Sequence, residues 1–294
     1  MDLFEYPFIP KCIEIRPKIV MRFLDEGPCD APVIVMLHGN PSWSYYWRRL
    51  VQALSPRYRC IVPDHVGMGL SDKPTDAAYP YTLESRVTDL TALLAHLDLQ
   101  QPIILAVHDW GGMIGFAWAL SHFDQIAGFI ITNTAGFPLP VIKRAPWFIQ
   151  FCRHWALGEW CVLRLNAFAK AASHWGVHRP MPKAVRQAYL SPYGHWEQRI
   201  GIARFIQDIP YGPQDRAWPI VHTVGEQLSK MAVRPALIAW GMKDPVFDHH
   251  FFDGFCQRFP RAQTCIYPNA GHYVLEDEAT DLVPRINQFV SQIL

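Results

Sequence analysis

Six short apolar runs recur along the chain, and each breaks off into a loop of glycine and polar residues. Val33–Leu37 gives way to His38-Gly39-Asn40-Pro41, and Cys60–Pro63 to Asp64-His65-Val66-Gly67-Met68-Gly69. Ile103–Val107 runs into His108-Asp109-Trp110-Gly111-Gly112, and Phe129–Thr132 into Asn133-Thr134-Ala135-Gly136. Ala236–Trp240 ends at Gly241-Met242-Lys243-Asp244, and Cys265–Tyr267 leads to Asn269-Ala270-Gly271-His272. Apolar runs this short, without polar alternation, predict strands buried on both faces. Helical periodicity fills several of the intervals. Leu83–Leu97 has apolar residues at 83, 87, 90, 93, 94 and 97, which form one stripe of a helix. Met113–Leu120 is apolar nearly all round and predicts a buried helix, and Ala279–Leu294 reads as a closing amphipathic helix. Strands alternating with helices predict an α/β fold with a mostly parallel sheet, whose ligands bind at the carboxyl ends of the strands.

Residues 137–220 break this rhythm. They hold six of the 11 tryptophans and are punctuated by Pro146, Pro180, Pro182, Pro192 and Pro210, with no strand-like run ending in a glycine loop. The pattern predicts a helical lid inserted into a core formed by 1–136 and 221–294, placed where strand-end insertions carry function. No internal repeat or low-complexity tract is evident.

Composition narrows the function classes. With 294 residues, half of them apolar and 18% charged, the chain has ample material for a core. A net charge of +1 argues against a nucleic-acid surface. Met1–Pro7 has neither the basic nor the apolar region of an export leader, and no apolar run reaches membrane-spanning length. Seven cysteines with no CxxC spacing suggest reduced thiols and a cytoplasmic setting. His249-His250 has no acidic or cysteine partner at ligand spacing, so no metal is expected. Gly67-Met68-Gly69 lacks the third glycine of a dinucleotide loop, so no cofactor is expected either.

The run at 103–115 has the strand–turn–helix shape of a nucleophile elbow, with Asp109 where G-x-S-x-G places serine. A serine there makes acyl-enzymes, whereas a carboxylate can displace a leaving group and become an ester itself. Asp109, Asp244 and His272 stand on three strand-end loops in the order nucleophile, acid, base. His272 would serve as base, and Asp244 would orient its ring, with Asp248 as the fallback acid. Asn40 and Trp110 supply backbone N–H groups for an oxyanion hole. Their side-chain donors, expected to aim at the cleft, would hold a leaving halide or carboxylate.

The H-D-W-G-G context of Asp109, with His38-Gly39-Asn40-Pro41 and Trp110, resembles the haloalkane dehalogenase and epoxide hydrolase branch of the α/β-hydrolase fold. The Asn40/Trp110 pair is similar to the dehalogenase halide site. Epoxide hydrolases would also need two lid tyrosines, for which Tyr189, Tyr193 and Tyr211 are available. A closer resemblance spans nearly the whole chain. Asn40–Tyr46, Pro63–Pro74, Thr134–Pro140, Arg179–Pro182, Arg204–Pro210 and Gly271–Asp277 resemble the β-lactone decarboxylases of bacterial long-chain olefin biosynthesis. That resemblance implies an apolar substrate, a cis-3,4-dialkyl β-lactone converted to a cis-alkene, with the alkyl halide reaction as the alternative. A non-catalytic ligand receptor on the same scaffold is a third reading. The resemblance also implies work beside a β-lactone synthetase and a dehydrogenase. It favours Asp244 as the acid, because Asn133 occupies the position that some dehalogenases use.

Overall fold

All six apolar runs form strands, and they are the parallel strands of a single eight-stranded sheet. A computed structural model describes residues 3–294. The strands are β1 (Lys11–Arg16), β2 (Ile19–Glu26), β3 (Val33–Leu37), β4 (Arg59–Pro63), β5 (Ile103–Asp109), β6 (Ile126–Thr134), β7 (Ala236–Gly241) and β8 (Gln263–Tyr267). They lie in the order β1-β2-β4-β3-β5-β6-β7-β8. The pattern missed β1 and β2, which form an antiparallel hairpin at one edge. No residue of β1 is buried, so it carries none of the continuous apolar signal of a strand covered on both faces. β3, β5 and β7 are buried at every position, because helices cover both faces of the sheet.

The core helices are α1 (Arg48–Leu54), α2 (Leu83–Leu97) and α3 (Trp110–Ser121). α2 starts at a reciprocal cap, in which Thr82 and Ser85 satisfy each other's backbone N–H groups. α3 is apolar nearly all round, as predicted, and is almost wholly buried behind the elbow.

Between β6 and β7 the chain forms α4 (Trp147–His154), α5 (Ala156–Leu165), α6 (Ala167–Trp175), α7 (Lys183–Leu190), α8 (Ile200–Gln207) and α9 (Trp218–Gln227), with no strand among them. Hereafter α4–α8 and their loops are the cap. The expected boundary at 220 falls inside α9, which runs on into the core. α10 (His249–Arg258), α11 (Val274–Asp277) and α12 (Ala279–Ile293) complete the fold.

The cap reaches the core through backbone as well as side chains. Gly67 has φ +90°, and a Cβ there would collide with Tyr81 and with the backbone of Gly201 in α8. The glycines that resembled an incomplete dinucleotide loop therefore let the cap approach closely. Tyr193 adds a tie, its hydroxyl accepting the Gly69 N–H at 3.1 Å. No helix among the described residues is long and apolar enough to cross a membrane.

Candidate active site

β5 delivers Asp109 to the carboxyl edge of the sheet, where the chain turns sharply into α3. Asp109 has φ +52°, a left-handed conformation that a non-glycine residue adopts only when its surroundings impose it. A Cβ on Gly111 would strike the carbonyls of Leu37 and His38, so the turn needs glycine there. The Thr134 hydroxyl donates to the Asp109 carbonyl and ties the elbow to β6.

The two carboxylate oxygens of Asp109 have different surroundings. Oδ1 accepts the Asn40 backbone N–H at 2.5 Å. Oδ2 lies 3.6 Å from His272 Nε2. Burial raises the Asp109 pKa above the usual carboxylate value, opposed by the His272 charge and the N–H groups of Asn40 and Trp110. The expected oxyanion hole is thus filled by an oxygen of Asp109 itself, and the other oxygen faces His272.

His272 donates from Nδ1 to Asp244 Oδ2 at 2.8 Å, which fixes the tautomer that presents Nε2 to Asp109. Burial by itself would depress the His272 pKa. The Asp244 charge and hydrogen bond, with the Asp109 charge, outweigh burial and raise it. Asp244 is in turn held by Asn133 Nδ2 at 3.0 Å and by the Val246 N–H at 2.7 Å. Asn133 also exchanges hydrogen bonds with the Gly241 backbone. The asparagine at the alternative acid position is therefore part of the support for Asp244. Asp248, the fallback acid, caps α10 and pairs with Lys143 at 2.6 Å instead.

Asn40 lines the cavity, but its side-chain amide is shared with the cap. Its Nδ2 donates to the Ile202 carbonyl of α8 at 3.2 Å, and its Oδ1 is buried without a partner. A cap helix placed over the loop competes for the amide, which spacing along the chain could not reveal. Trp110 also lines the cavity and packs against Phe205 with ring centres 5.2 Å apart.

The roles of four residues near the site escaped sequence reasoning. His108, beside the nucleophile, donates from Nε2 to the His272 carbonyl at 3.0 Å and stacks on Tyr46 at 4.1 Å. Burial lowers its pKa and keeps it neutral, so it positions the His272 backbone. Arg48 and Glu276 form a buried pair, with Arg48 Nη2 3.0 Å from Glu276 Oε2. Tyr189 of α7 donates to Glu276 Oε1 at 2.6 Å, and so connects the cap to the helix that follows His272. Its partners stand 87 residues apart in sequence, a separation at which no local signal survives.

Asp109, Trp110 and His272 open onto a cavity of about 730 Å³ under the cap, lined largely by apolar residues such as Phe148, Phe168, Ile206 and Phe247. Of the three lid tyrosines, only Tyr211 lines it; Tyr189 and Tyr193 are committed to Glu276 and Gly69. That speaks against the paired proton donors an epoxide hydrolase needs. Asp248, His249 and His250 do come together, with ligand atoms within 4.8 Å, although no acidic partner was expected there. The Asp248 carboxylate is already engaged by Lys143 and by His250 at 3.1 Å.

A sheet of this order, with a carboxylate, a histidine and an acid gathered at the carboxyl edge of its parallel strands, is that of an α/β-hydrolase-fold enzyme. The chain belongs to the α/β hydrolase fold family, which it matches over residues 32–156 and 178–279. It is 56% identical over 292 residues to the cis-3-alkyl-4-alkyloxetan-2-one decarboxylase of Xanthomonas campestris, covering 98% of this chain and 97% of that one. It is 32% identical over 293 residues to the haloalkane dehalogenase of Mycobacterium marinum, covering 97% and 95% of the two chains. The solved structure of the Paraglaciecola agarilytica haloalkane dehalogenase superposes with a TM-score of 0.81 at 26% identity, covering 96% of this chain and 93% of that one.

Proposed function

We propose that this enzyme decarboxylates cis-3-alkyl-4-alkyloxetan-2-ones to cis-alkenes. The observation that carries the reading is the 56% identity to the Xanthomonas decarboxylase across 292 residues, which runs through the cap as well as the core. The identity to the Mycobacterium dehalogenase is 32%. Both alignments span the cap, which shapes the substrate cavity, and the decarboxylase is the more similar over that full length.

In this reading Asp109 Oδ2 displaces the ring oxygen at C4 of the lactone. The C4–O bond breaks, an ester forms on Asp109, and the ring oxygen leaves as a carboxylate on C3. Cleavage of the C3–carboxyl bond then forms the alkene as the C4–Oδ2 bond breaks, which releases carbon dioxide and regenerates Asp109. Atoms balance without water or a net proton. Displacement inverts C4, and anti elimination from the adduct then preserves the cis relationship. His272, whose protonated form Asp244 and Asp109 favour, acts in this reading as a counter-charge rather than a base. The Trp110 indole offers a donor to the departing carboxylate, and Asn40 can join it with the Nδ2 hydrogen that Ile202 does not engage. The proposal places the enzyme in olefin biosynthesis in a bacterial cytoplasm, beside a β-lactone synthetase and a dehydrogenase. The seven free cysteines support a reducing compartment.

The second reading, hydrolysis of an alkyl halide, uses the same residues. Esterification of Asp109 removes a negative charge beside His272, which lowers its pKa and frees it to activate water. Incubation with a cis-dialkyl β-lactone and, separately, with 1-bromobutane tests the choice. Alkene and carbon dioxide from the first, with no bromide from the second, is the expected result. Brisk bromide release without alkene would overturn the proposal.

A further inference from the structure

Most tryptophans of this chain fall into two groups, with Trp218 of α9 between them and Trp196, 43% exposed, on the cap side. Trp43, Trp47, Trp110, Trp118 and Trp240, all in the core, are at most 3% exposed. In the cap, Trp147, Trp155, Trp160 and Trp175 are 79%, 66%, 49% and 78% exposed. Val141, Ile142 and Leu157 are also largely exposed. These residues lie on α4, α5, the end of α6 and the loop before α4, and Leu157 and Trp160 share one side of α5. Single exposed apolar residues need no explanation, but a concentration of large ones on a single insertion marks a surface that meets something.

Two further observations say what it meets. The first is continuity with the site. Trp147 and Trp175 line the cavity and are also among the most exposed residues of the cap, so they stand at the rim of its mouth. The second is charge. Residues 137–220 carry 11 Lys and Arg against four Asp and Glu, a net +7, which leaves −6 on the rest of a chain whose total is +1. Of the four acids, Glu159, Asp208 and Asp215 are paired with arginines. Arg144, Arg164, Lys170, Lys183 and Arg216 are exposed and have no ion pair among the described residues. Tryptophan beside unpaired lysine and arginine is the composition of a surface that settles at the lipid headgroup level.

We propose that the cap docks on an anionic lipid bilayer, with the tryptophan-rimmed mouth turned to the acyl chains. Trp147, Trp155, Trp160 and Trp175 would enter the interface while the free basic residues meet anionic headgroups. An apolar substrate could then pass between bilayer and cavity without crossing water. The acidic remainder of the chain is repelled by the same surface, which orients the molecule cap-down. This inference rests on the cap alone and is independent of which substrate Asp109 attacks.

The test is sedimentation of the full chain with vesicles of phosphatidylcholine, alone or with roughly one-third phosphatidylglycerol. It needs no substrate, so its failure is separate from failure of the decarboxylase reading. The expected result is binding to the anionic vesicles, weakened at least tenfold on neutral vesicles or at about 0.5 M salt. Tryptophan emission should shift to the blue on binding, since the exposed tryptophans among the described residues all lie in the cap. A Trp155→Ser/Leu157→Ser/Trp160→Ser variant alters residues outside the cavity lining. It should lose vesicle binding at least tenfold while keeping wild-type turnover of a short-chain substrate, which also shows that it folds. Arg144→Glu/Arg216→Glu should weaken anionic binding alone. Three results would overturn the proposal: no binding to either vesicle, equal binding to both regardless of salt, or wild-type self-association that the triple variant abolishes. The last would assign the surface to a second copy of the chain.

Discussion

Asp109 combines two properties that usually exclude each other. It is buried, which disfavours its charge, and the proposed reaction needs it ionised. The Asn40 and Trp110 N–H groups and the His272 charge keep the ionised form accessible. Asp109→Asn should therefore lower kcat by about 10⁴-fold or more in steady-state assays while the fold survives. The same substitution removes one of the charges that raise the His272 pKa, so a His272 titration followed by NMR should move to lower pH. Asp244→Asn should cost about 10²–10⁴-fold in kcat through the lost tautomer and imidazolium support. Asp248→Asn, which loosens a pair away from the histidine, should leave kcat within about threefold. Asp109, His272 and Asp244 were legible in the sequence because each follows a short apolar run that breaks off into a loop with glycine, although β8, the strand before His272, is mostly exposed. The direction of the Asn40 amide was not, because its partner Ile202 lies 162 residues away.

The strands and helices show how one element positions another. The loop after β4 and the start of α8 touch through Gly67 and Gly201, and Tyr193 closes the contact by accepting from Gly69 at 3.1 Å. Tyr193→Phe leaves a buried N–H without a partner, and thermal unfolding should report a loss of about 1–3 kcal/mol. The central parallel strands could be read from the chain because burial on both faces writes a continuous apolar run. The β1–β2 hairpin could not, since its first strand is an exposed edge whose residues follow no core pattern. The cap helices were expected as a class, but which of their faces turned inward depended on the cavity they enclose.

Across the whole molecule, the cap and core are joined by a buried electrostatic knot. Arg48 is wholly buried, between Glu276 and Glu5, and Tyr189 brings α7 to the same carboxylate. Glu276→Gln removes the buried counter-charge, and denaturant unfolding should show a loss of about 3 kcal/mol. The activity profile with pH also belongs to the assembled molecule. Turnover should fall as pH drops through the raised Asp109 pKa, where the nucleophile becomes protonated. His272 is raised above 6.5, so the stability it contributes is complete below that value and is lost as pH rises through the folded pKa. If His272 works as a cation, decarboxylation should decline through that same upper range, whereas hydrolysis of an alkyl-enzyme should rise. A pH–rate profile of kcat from each substrate distinguishes the two slopes.

Local order along the chain was enough to specify a parallel sheet, an elbow bearing Asp109, and a histidine and acid on later strand ends. Those features are written by burial on both faces and by the residues a sharp turn requires, and both act over a few positions. Tertiary packing alone determined that Asp109 keeps one oxygen in its own oxyanion hole, and that Asn133 supports Asp244. It alone also tied the Asn40 amide to the cap and placed two exposed tryptophans at the mouth of the cavity. Each of these depends on groups far apart in sequence meeting within a few ångströms, and no pattern along the chain records such a meeting.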